Sequence, residues 1–145
     1  MFTLARLAFA AAISMAPMLH ASAQTHATEE AGKTRVVLQV SEDDPKKWNL
    51  ILNNARNIQK DLGKNNVDIE IVAFGPGIGI FKADSAVAAR VSEVASDGLV
   101  LAACENTMAA MKLTKEDMNP AAGYVPSGVV EIIRKEKAGY AYLRP

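Results

Sequence analysis

The sequence predicts an α/β fold with a mainly parallel sheet and helices on both of its faces. Short apolar runs typical of buried strands alternate with stretches whose apolar residues recur every three or four positions. The runs contain consecutive apolar residues, which is the pattern of strands covered on both faces. The predicted order is strand, helix, strand, helix, strand, helix, helix, strand. Such alternation favours a parallel sheet with helices packed on each side.

The first strand and helix are predicted over 34–40 and from Pro45 onwards. The strand is rich in β-branched residues, which suit a pleated, buried surface. Asp44 can cap the helix, and Pro45 fits its first position because the missing N–H has no partner to lose there. Gly63 is placed to end the helix in a left-handed conformation. The apolar stripe of this helix comprises Trp48, Ile51, Leu52, Ala55, Ile58 and Leu62.

A glycine-rich stretch at 75–79 follows the second predicted strand, 68–74, without any spacer. A phosphate-binding interpretation fails because Ile80 stands where the dinucleotide fingerprint requires its last glycine. Pro76 also removes one N–H that could have bound an anion. The stretch is better explained as a tight loop that approaches another part of the backbone closely.

The third strand is predicted over 99–103, after a helix at 84–96 that Asp84 is expected to cap. Cys104 follows the strand directly. The polar residues 105–107 come next and suit the first turn of a helix, and helix formers follow at 108–111. The cysteine is therefore predicted to lie where a strand passes into a helix.

The last part of the chain contains a turn, a short extended piece, a helix and a strand. Thr114 to Asp117 predicts a capped helical turn. Residues 124–125 are predicted to be extended, and a helix is predicted after Pro126-Ser127-Gly128, with basic residues near its end that suit the helix dipole. The final strand is predicted at 139–143.

Residues 1–23 have the features of a signal peptide. Arg6 precedes an apolar core of about a dozen residues, and Ala21-Ser22-Ala23 matches a cleavage site. The core is shorter than the about 20 residues that span a bilayer, which weighs against the alternative of a retained anchor. The expected organisation is a flexible leader at 24–33 and a single domain at 34–145. The expected location is periplasmic or secreted, with no membrane contact after removal of the signal.

The net charge of the mature chain is too small to indicate a highly charged binding partner. Removing Arg6 from 16 Lys+Arg leaves 15 against 16 Asp+Glu, a net charge of −1 with His neutral. No nucleic-acid or membrane surface follows from that balance. No cofactor motif is found, and His26 has no second ligand at metal-binding spacing, so neither a cofactor nor a metal is expected.

Cys104 is the only cysteine of the chain. In an oxidising compartment it cannot pair within its own chain, so it is free, joined to another molecule, or modified. A helix N-terminus carries roughly +0.5 of an elementary charge and lowers the pKa of a thiol placed there. Glu105 opposes this effect because its carboxylate repels a thiolate. The alternative is that Cys104 packs as a small buried hydrophobe.

Three loops are predicted to meet at the carboxyl ends of the parallel strands, where ligands bind in such sheets. They are 41–44, 75–79 and 104–107. Cys104 is therefore expected in a shallow cleft beside the glycine-rich loop. The candidate supporting residues are Ser41, Gly75, Gly77, Glu105, Asn106 and Thr107.

The sequence resembles the DsrE/DsrF-like family of small sulfur-relay proteins across the whole mature domain. Ala-Cys-Glu-Asn-Thr-Met at 103–108 is the most specific part of the resemblance, and Val-Pro-Ser-Gly-Val-Val-Glu at 125–131 is a second. The resemblance implies a three-layer α/β/α sandwich with a mainly parallel sheet of about five strands. It also implies a homo-oligomer, a trimer or a hexamer.

The function implied by the resemblance is sulfur relay. Cys104 would carry sulfane sulfur as a persulfide and pass it to a partner thiol, with the N–H groups of Asn106 and Thr107 steadying the anion. The donor would be a small sulfur species or a thiol-bearing protein. The relay complexes of the family work in the cytoplasm, whereas this chain is predicted to be exported. The alternatives are a non-catalytic small-ligand-binding or assembly module, and a redox sensor that forms an intermolecular disulfide.

Overall fold

The fold is described from a computed structural model that covers residues 32–145. The predicted signal peptide and most of the predicted leader lie outside the described residues. Five strands and four α-helices make up the domain: β1 (Thr34–Val40), α1 (Pro45–Leu62), β2 (Val67–Ala73), α2 (Ala88–Ser96), β3 (Val100–Cys104), α3 (Glu105–Ala110), β4 (Gly123–Val125), α4 (Gly128–Lys137) and β5 (Ala141–Leu143). Three 3₁₀ segments are Lys64–Asn66, Gly75–Phe81 and Lys115–Asp117.

The five strands form one sheet in the order β4-β3-β2-β1-β5, and every neighbouring pair is parallel. One face of the sheet packs on α1 and α2 and forms the larger core. The opposite face packs on α4 and forms a smaller cluster, which comprises Val37, Val72, Ala102 and Ile132. The predicted three-layer α/β/α sandwich with a five-stranded parallel sheet is confirmed.

The first helix is built as its sequence predicts. The Asp44 carboxylate accepts hydrogen bonds from the N–H groups of Lys46 and Lys47, at 2.8 and 3.4 Å, and Pro45 is the first helical residue. Gly63 ends the helix with φ +90°, a conformation that favours glycine.

The second helix begins later than predicted. It starts at Ala88, with Val87 at the N-cap position, so Asp84 does not cap it. The Asp84 carboxylate instead pairs with Lys82 at 3.1 Å, and the N–H of Ser85 bonds to the carbonyl of Lys82 at 3.1 Å. This turn uses the residues that were expected to form the first turn of the helix.

β3 extends one residue further than predicted and includes Cys104. α3 begins at Glu105, so the polar residues after the cysteine form its first turn as predicted. The glycine-rich stretch is a 3₁₀ segment, Gly75–Phe81, and it makes the close backbone approach that was expected of a tight loop. Within 32–145, no helix is both long and apolar enough to cross a membrane.

Candidate functional site

Cys104 lies at the carboxyl end of β3, beside β4, and the helices that follow these two strands pack on opposite faces of the sheet. β3 leads into α3, whose Met108 packs in the larger core, whereas β4 leads into α4, whose Ile132 packs on the other face. The two strands are neighbours, and Cys104 pairs with Val125 at their carboxyl ends. Adjacent strands whose helices depart to opposite faces leave a crevice between them, which is where open α/β sheets bind ligands.

Hydrogen-bond donors from both helices converge on the Cys104 sulfur. Burial is the largest single influence and raises the pKa of the thiol. The Thr107 hydroxyl and the backbone N–H groups of Gly128, Thr107 and Asn106 act in the opposite direction, and together they hold the pKa of Cys104 below its ordinary value. Donors near the sulfur favour the anion because a hydrogen bond to the charged form stabilises it. The N–H of Asn106 also donates to the carbonyl oxygen of Pro126 at 3.2 Å.

Thr107 connects the cysteine to the glycine-rich segment. Its Oγ1 accepts a hydrogen bond from the N–H of Gly75 at 2.9 Å. Because that bond occupies a lone pair of the oxygen, the hydroxyl hydrogen remains free to be donated to the sulfur. The predicted proximity of Gly75, Thr107 and Cys104 is therefore present in the structure.

Gly77 brings the glycine-rich segment against the end of β1. A Cβ atom at this position would lie 2.4 Å from the carbonyl oxygen of Val40 and 2.7 Å from the nitrogen of Ser41. Only glycine allows so close an approach. The Ser41 hydroxyl donates to the carboxylate of Glu42 at 3.0 Å, and the Ser41 backbone nitrogen lies beside Gly77. The three strand-end loops do meet, but Ser41 supports the segment and makes no described contact with the thiol.

A groove of about 490 Å³ adjoins the cysteine. Its lining is mainly apolar and comprises Asp43, Gly75, Pro76, Asn106, Thr107, Ala110 and Met111. Cys104 itself is only 4% exposed and is not part of the lining. The expectation that the thiol lies in the cleft is therefore wrong in detail: its neighbours Asn106 and Thr107 form the groove wall, and the sulfur lies behind them.

Glu105 is the first residue of α3 and is exposed. Water around an exposed carboxylate screens its charge, so its repulsion of the thiolate is weak compared with direct hydrogen bonds. Within the described residues, no group of three or more His, Cys, Asp or Glu side chains is arranged to hold a metal ion.

Gly128 is the contributor that the sequence analysis did not include among the site residues. It is the first residue of α4 and reaches the sulfur because β4 lies beside β3. A Cβ atom at Gly128 would lie 3.0 Å from Cδ1 of Phe74, so the glycine also permits close packing of the helix end. Two signals in the sequence could have identified Gly128. One is the family signature at 125–131, and the other is the rule that sites form at the carboxyl ends of parallel strands.

A family model described as the DsrE/DsrF-like family matches residues 2–145. The chain belongs to the DsrE/DsrF-like family. Membership gives it a fold of the sulfur-relay type, as its resemblance implied.

Two solved structures are similar to this DsrE/DsrF-like chain. The protein of unknown function MTH1491 from Methanobacterium thermoautotrophicum is 36% identical, with a TM-score of 0.75 over 78% of this chain and 100% of that one. The conserved protein of unknown function BT1422 from Bacteroides thetaiotaomicron is 18% identical, with a TM-score of 0.63 over 77% of this chain and 94% of that one, and shows the fold alone. The comparison with curated proteins found no match.

Proposed function

We propose that the protein carries sulfane sulfur as a persulfide on Cys104 and passes it to a partner thiol. The observation that supports this best is the set of donors on one sulfur atom, supplied by the starts of α3 and α4. A buried thiol that only packs needs no such donors, whereas a thiolate nucleophile does. Membership in the DsrE/DsrF-like family supports the same chemistry at the level of the fold.

The transfer is an exchange between thiolates. The Cys104 thiolate attacks the outer sulfur of a donor persulfide or polysulfide, and a new S–S bond forms at Sγ. The S–S bond of the donor breaks, and the donor leaves as a thiolate or as a polysulfide anion that is one sulfur shorter. An acceptor thiolate then attacks the outer sulfur held on Cys104. The S–S bond to Sγ breaks and the Cys104 thiolate is regenerated. The sulfane sulfur keeps its oxidation state throughout, so neither an oxidant nor a reductant is consumed.

The donors assist both steps in the same way. Cys104 is a thiolate before the first step and a thiolate leaving group in the second, and the N–H groups and the Thr107 hydroxyl stabilise that charge each time. The groove beside Asn106 and Thr107 offers the donor molecule a place to approach.

Intact-protein mass spectrometry after incubation with polysulfide tests the proposal. We expect a gain of about 32 Da per sulfur, reversed by a reductant and absent in Cys104→Ser. Transfer of the added sulfur to a small acceptor thiol would complete the cycle. A wild-type protein that gains no mass, under conditions in which a small thiol does, would overturn it.

A non-catalytic binding or assembly module is the second candidate, and the low exposure of Cys104 favours it. In that case the thiol only packs, and the groove or the outer surface of the domain carries the function. A Cys104→Ser variant that assembles and supports the cellular phenotype as the wild type does would favour this candidate over sulfur transfer.

The proposal includes a homo-oligomer in an exported setting. Three exposed apolar side chains on the outer side of α4, Val129, Val130 and Ile133, form a patch that a second copy of the chain can cover. If the predicted signal peptide is removed on export, the sulfur donor and the acceptor thiol must both be available outside the cytoplasm.

A further inference from the structure

Two adjoining cavities form one continuous groove beside the candidate site. The cavity of about 490 Å³ is lined by Asn106 and Thr107, and a second cavity of about 300 Å³ lies next to it. Both cavities are lined by Asp43, Pro76 and Met111. The groove therefore extends beyond the candidate site, and the Asp43 carboxylate lies where its two parts join.

Asp43 is one of three consecutive acidic residues before α1, and the other two have clear structural roles. Glu42 pairs with Arg144 at 2.6 Å and with Lys47 at 3.3 Å. Asp44 caps the helix. Among the described residues, the exposed Asp43 carboxylate forms no ion pair. Its negative charge is therefore available to a molecule in the groove.

The Asp43 carboxylate lies over the glycine-rich segment beside a fixed ring. A Cβ atom at Gly79 would lie 3.6 Å from Oδ1 of Asp43 and 2.9 Å from Cη2 of Trp48. The indole N–H of Trp48 donates to the carbonyl oxygen of Glu42 at 2.8 Å, which holds the ring in place. A side chain at Gly79 would collide with the ring, so the glycine keeps this part of the groove open.

The rest of the groove suits a hydrocarbon chain. Pro76 and Met111 provide apolar surface, and Met111 is 51% exposed. A methionine side chain adapts to apolar groups of different shapes. At the far end, Lys82 is already paired with Asp84 at 3.1 Å. Among the described lining residues, Asp43 therefore carries the only charge that is not paired with an opposite one.

We propose that the sulfur donor is a small organic persulfide with a protonated amino group, and that Asp43 binds this group. The hydrocarbon part of the donor lies on Met111, with its sulfur end toward Asn106 and Thr107. This inference rests on the proposed function and names the class of its donor. The donor gives its outer sulfur to Cys104 and leaves as an amine-bearing thiolate, so the bonds that form and break are those of the proposed transfer.

The charge of the groove discriminates among donors. A carboxylate attracts an ammonium group, and it repels an inorganic polysulfide or a donor with a carboxylate, because both are anions. Water and salt weaken the attraction, since Asp43 is exposed. An exposed pair of this kind corresponds to a preference of roughly two- to fivefold, which should fall as the salt concentration rises.

The test compares the binding of two thioethers that cannot transfer sulfur. 2-(Methylthio)ethylamine and 3-(methylthio)propionate are similar in length and opposite in charge. An NMR titration of the Gly75, Asn106 and Met111 amide signals gives the Kd of each. We expect the wild type to bind the amine roughly two- to fivefold more tightly at low salt. Asp43→Asn should remove this preference, and Asp43→Lys should reverse it.

Asp61→Asn is the matched control. Asp61 is also exposed, but it lines a different cavity and lies roughly 24 Å from Asp43 along α1. Its replacement removes one negative charge and should leave the preference for the amine unchanged. A wild type that binds neither thioether, or binds both equally, overturns the proposal. Equal losses of preference in Asp61→Asn and Asp43→Asn also overturn it, because the net charge would then be the cause.

These results stay separate from the test of sulfur transfer, because neither thioether contains sulfane sulfur. A wild type that gains no mass from polysulfide, but whose preference for the amine depends on Asp43, contradicts the proposed function and keeps the amine-binding groove. A wild type that gains mass and shows no preference between the thioethers keeps the proposed function and overturns the choice of donor.

Discussion

At Cys104 two opposite influences act on one sulfur atom. Burial favours the neutral thiol, and four hydrogen-bond donors favour the thiolate. Together the donors outweigh burial, and the pKa of Cys104 is held below its ordinary value. Hydrogen bonds to a charged group are stronger than those between neutral groups. The chemistry of the site therefore depends on the arrangement of a few donors.

Thr107→Val tests the donor with the largest favourable effect. Valine keeps the shape of the side chain but removes the hydroxyl that donates to Cys104 and accepts from Gly75. Hydrogen bonds to charged groups contribute roughly 1.5–3 kcal/mol. We therefore expect the pKa of Cys104 to rise by about one to two units. The unpaired Gly75 N–H should also lower the free energy of unfolding by about 1–3 kcal/mol.

Thr107→Ser is the control for this variant, because serine keeps the hydroxyl. Its Cys104 titration should follow that of the wild type. A Thr107→Val protein that loses stability but keeps the wild-type titration would show that the hydroxyl supports the loop and does not act on the sulfur.

Local sequence signals predicted single residues well where one contact decides the outcome. Asp44 and Pro45 start α1 as expected, because a cap needs only a side chain and its own following N–H groups. Gly128 was missed because its contact with Cys104 depends on which strands are neighbours. Cys104 was expected to be open to the cleft, whereas its exposure depends on how Asn106 and Thr107 cover it.

At the scale of elements, side-chain pairs fix the less strongly packed parts of the fold. β5 is a three-residue edge strand whose residues are all exposed. Its end is held by Arg144, whose guanidinium binds the Glu42 carboxylate at 2.6 Å. Glu42 lies two residues after the end of β1, so this pair joins the end of β5 to the loop that supports Gly77.

Arg144→Gln should change how Glu42 titrates. The Arg144 hydrogen bond is the largest cause of a pKa lowered from 4.5 to about 2 at Glu42, ahead of the Ser41 hydroxyl, and Lys47 contributes less. A carboxyl with a lowered pKa stabilises the fold above the unfolded value and loses that contribution as pH falls through its folded value. The pair should therefore lose its stabilising effect between about pH 4.5 and pH 2.

An NMR titration of the Glu42 carboxyl measures this change. We expect the pKa to move from about 2 toward 4.5 in Arg144→Gln, and to move less in Lys47→Gln. If the two variants shift Glu42 equally, Arg144 has no special part in holding the terminus.

The periodicity of the apolar residues predicted the helices and strands. The observed ends differ from the predicted ones where a turn competes with a helix. The apolar spacing of α2 is present as expected, but the turn at Lys82–Ser85 delays the helix to Ala88. β3 includes Cys104 because its pairing with β4 continues to Val125. A strand end that depends on a neighbouring strand cannot be located from local sequence.

At the scale of the whole molecule, α4 presents an apolar patch that no other part of residues 32–145 covers. Val129, Val130 and Ile133 lie at spacings of three and four on α4 and are all exposed. An apolar patch of this kind often marks a protein–protein interface. It fits the homo-oligomer that the family resemblance implies.

The double variant Val129→Lys/Ile133→Lys should prevent the proposed homo-oligomer from forming. We expect sedimentation at the monomer mass, with the fold retained because both side chains already face solvent. Val100→Lys is the matched control, since Val100 is 55% exposed and lies on β3 instead of α4. A wild-type protein that is already a monomer at all concentrations would contradict the proposed assembly.

If Cys104 reacts as a thiolate in the folded protein, its alkylation rate against pH shows this most directly. We expect labelling at Cys104 under native conditions, with a midpoint below the about 8.5 of an ordinary thiol and no labelling of Cys104→Ser. A thiol that remains unlabelled at every pH until denaturant unfolds the chain would contradict it.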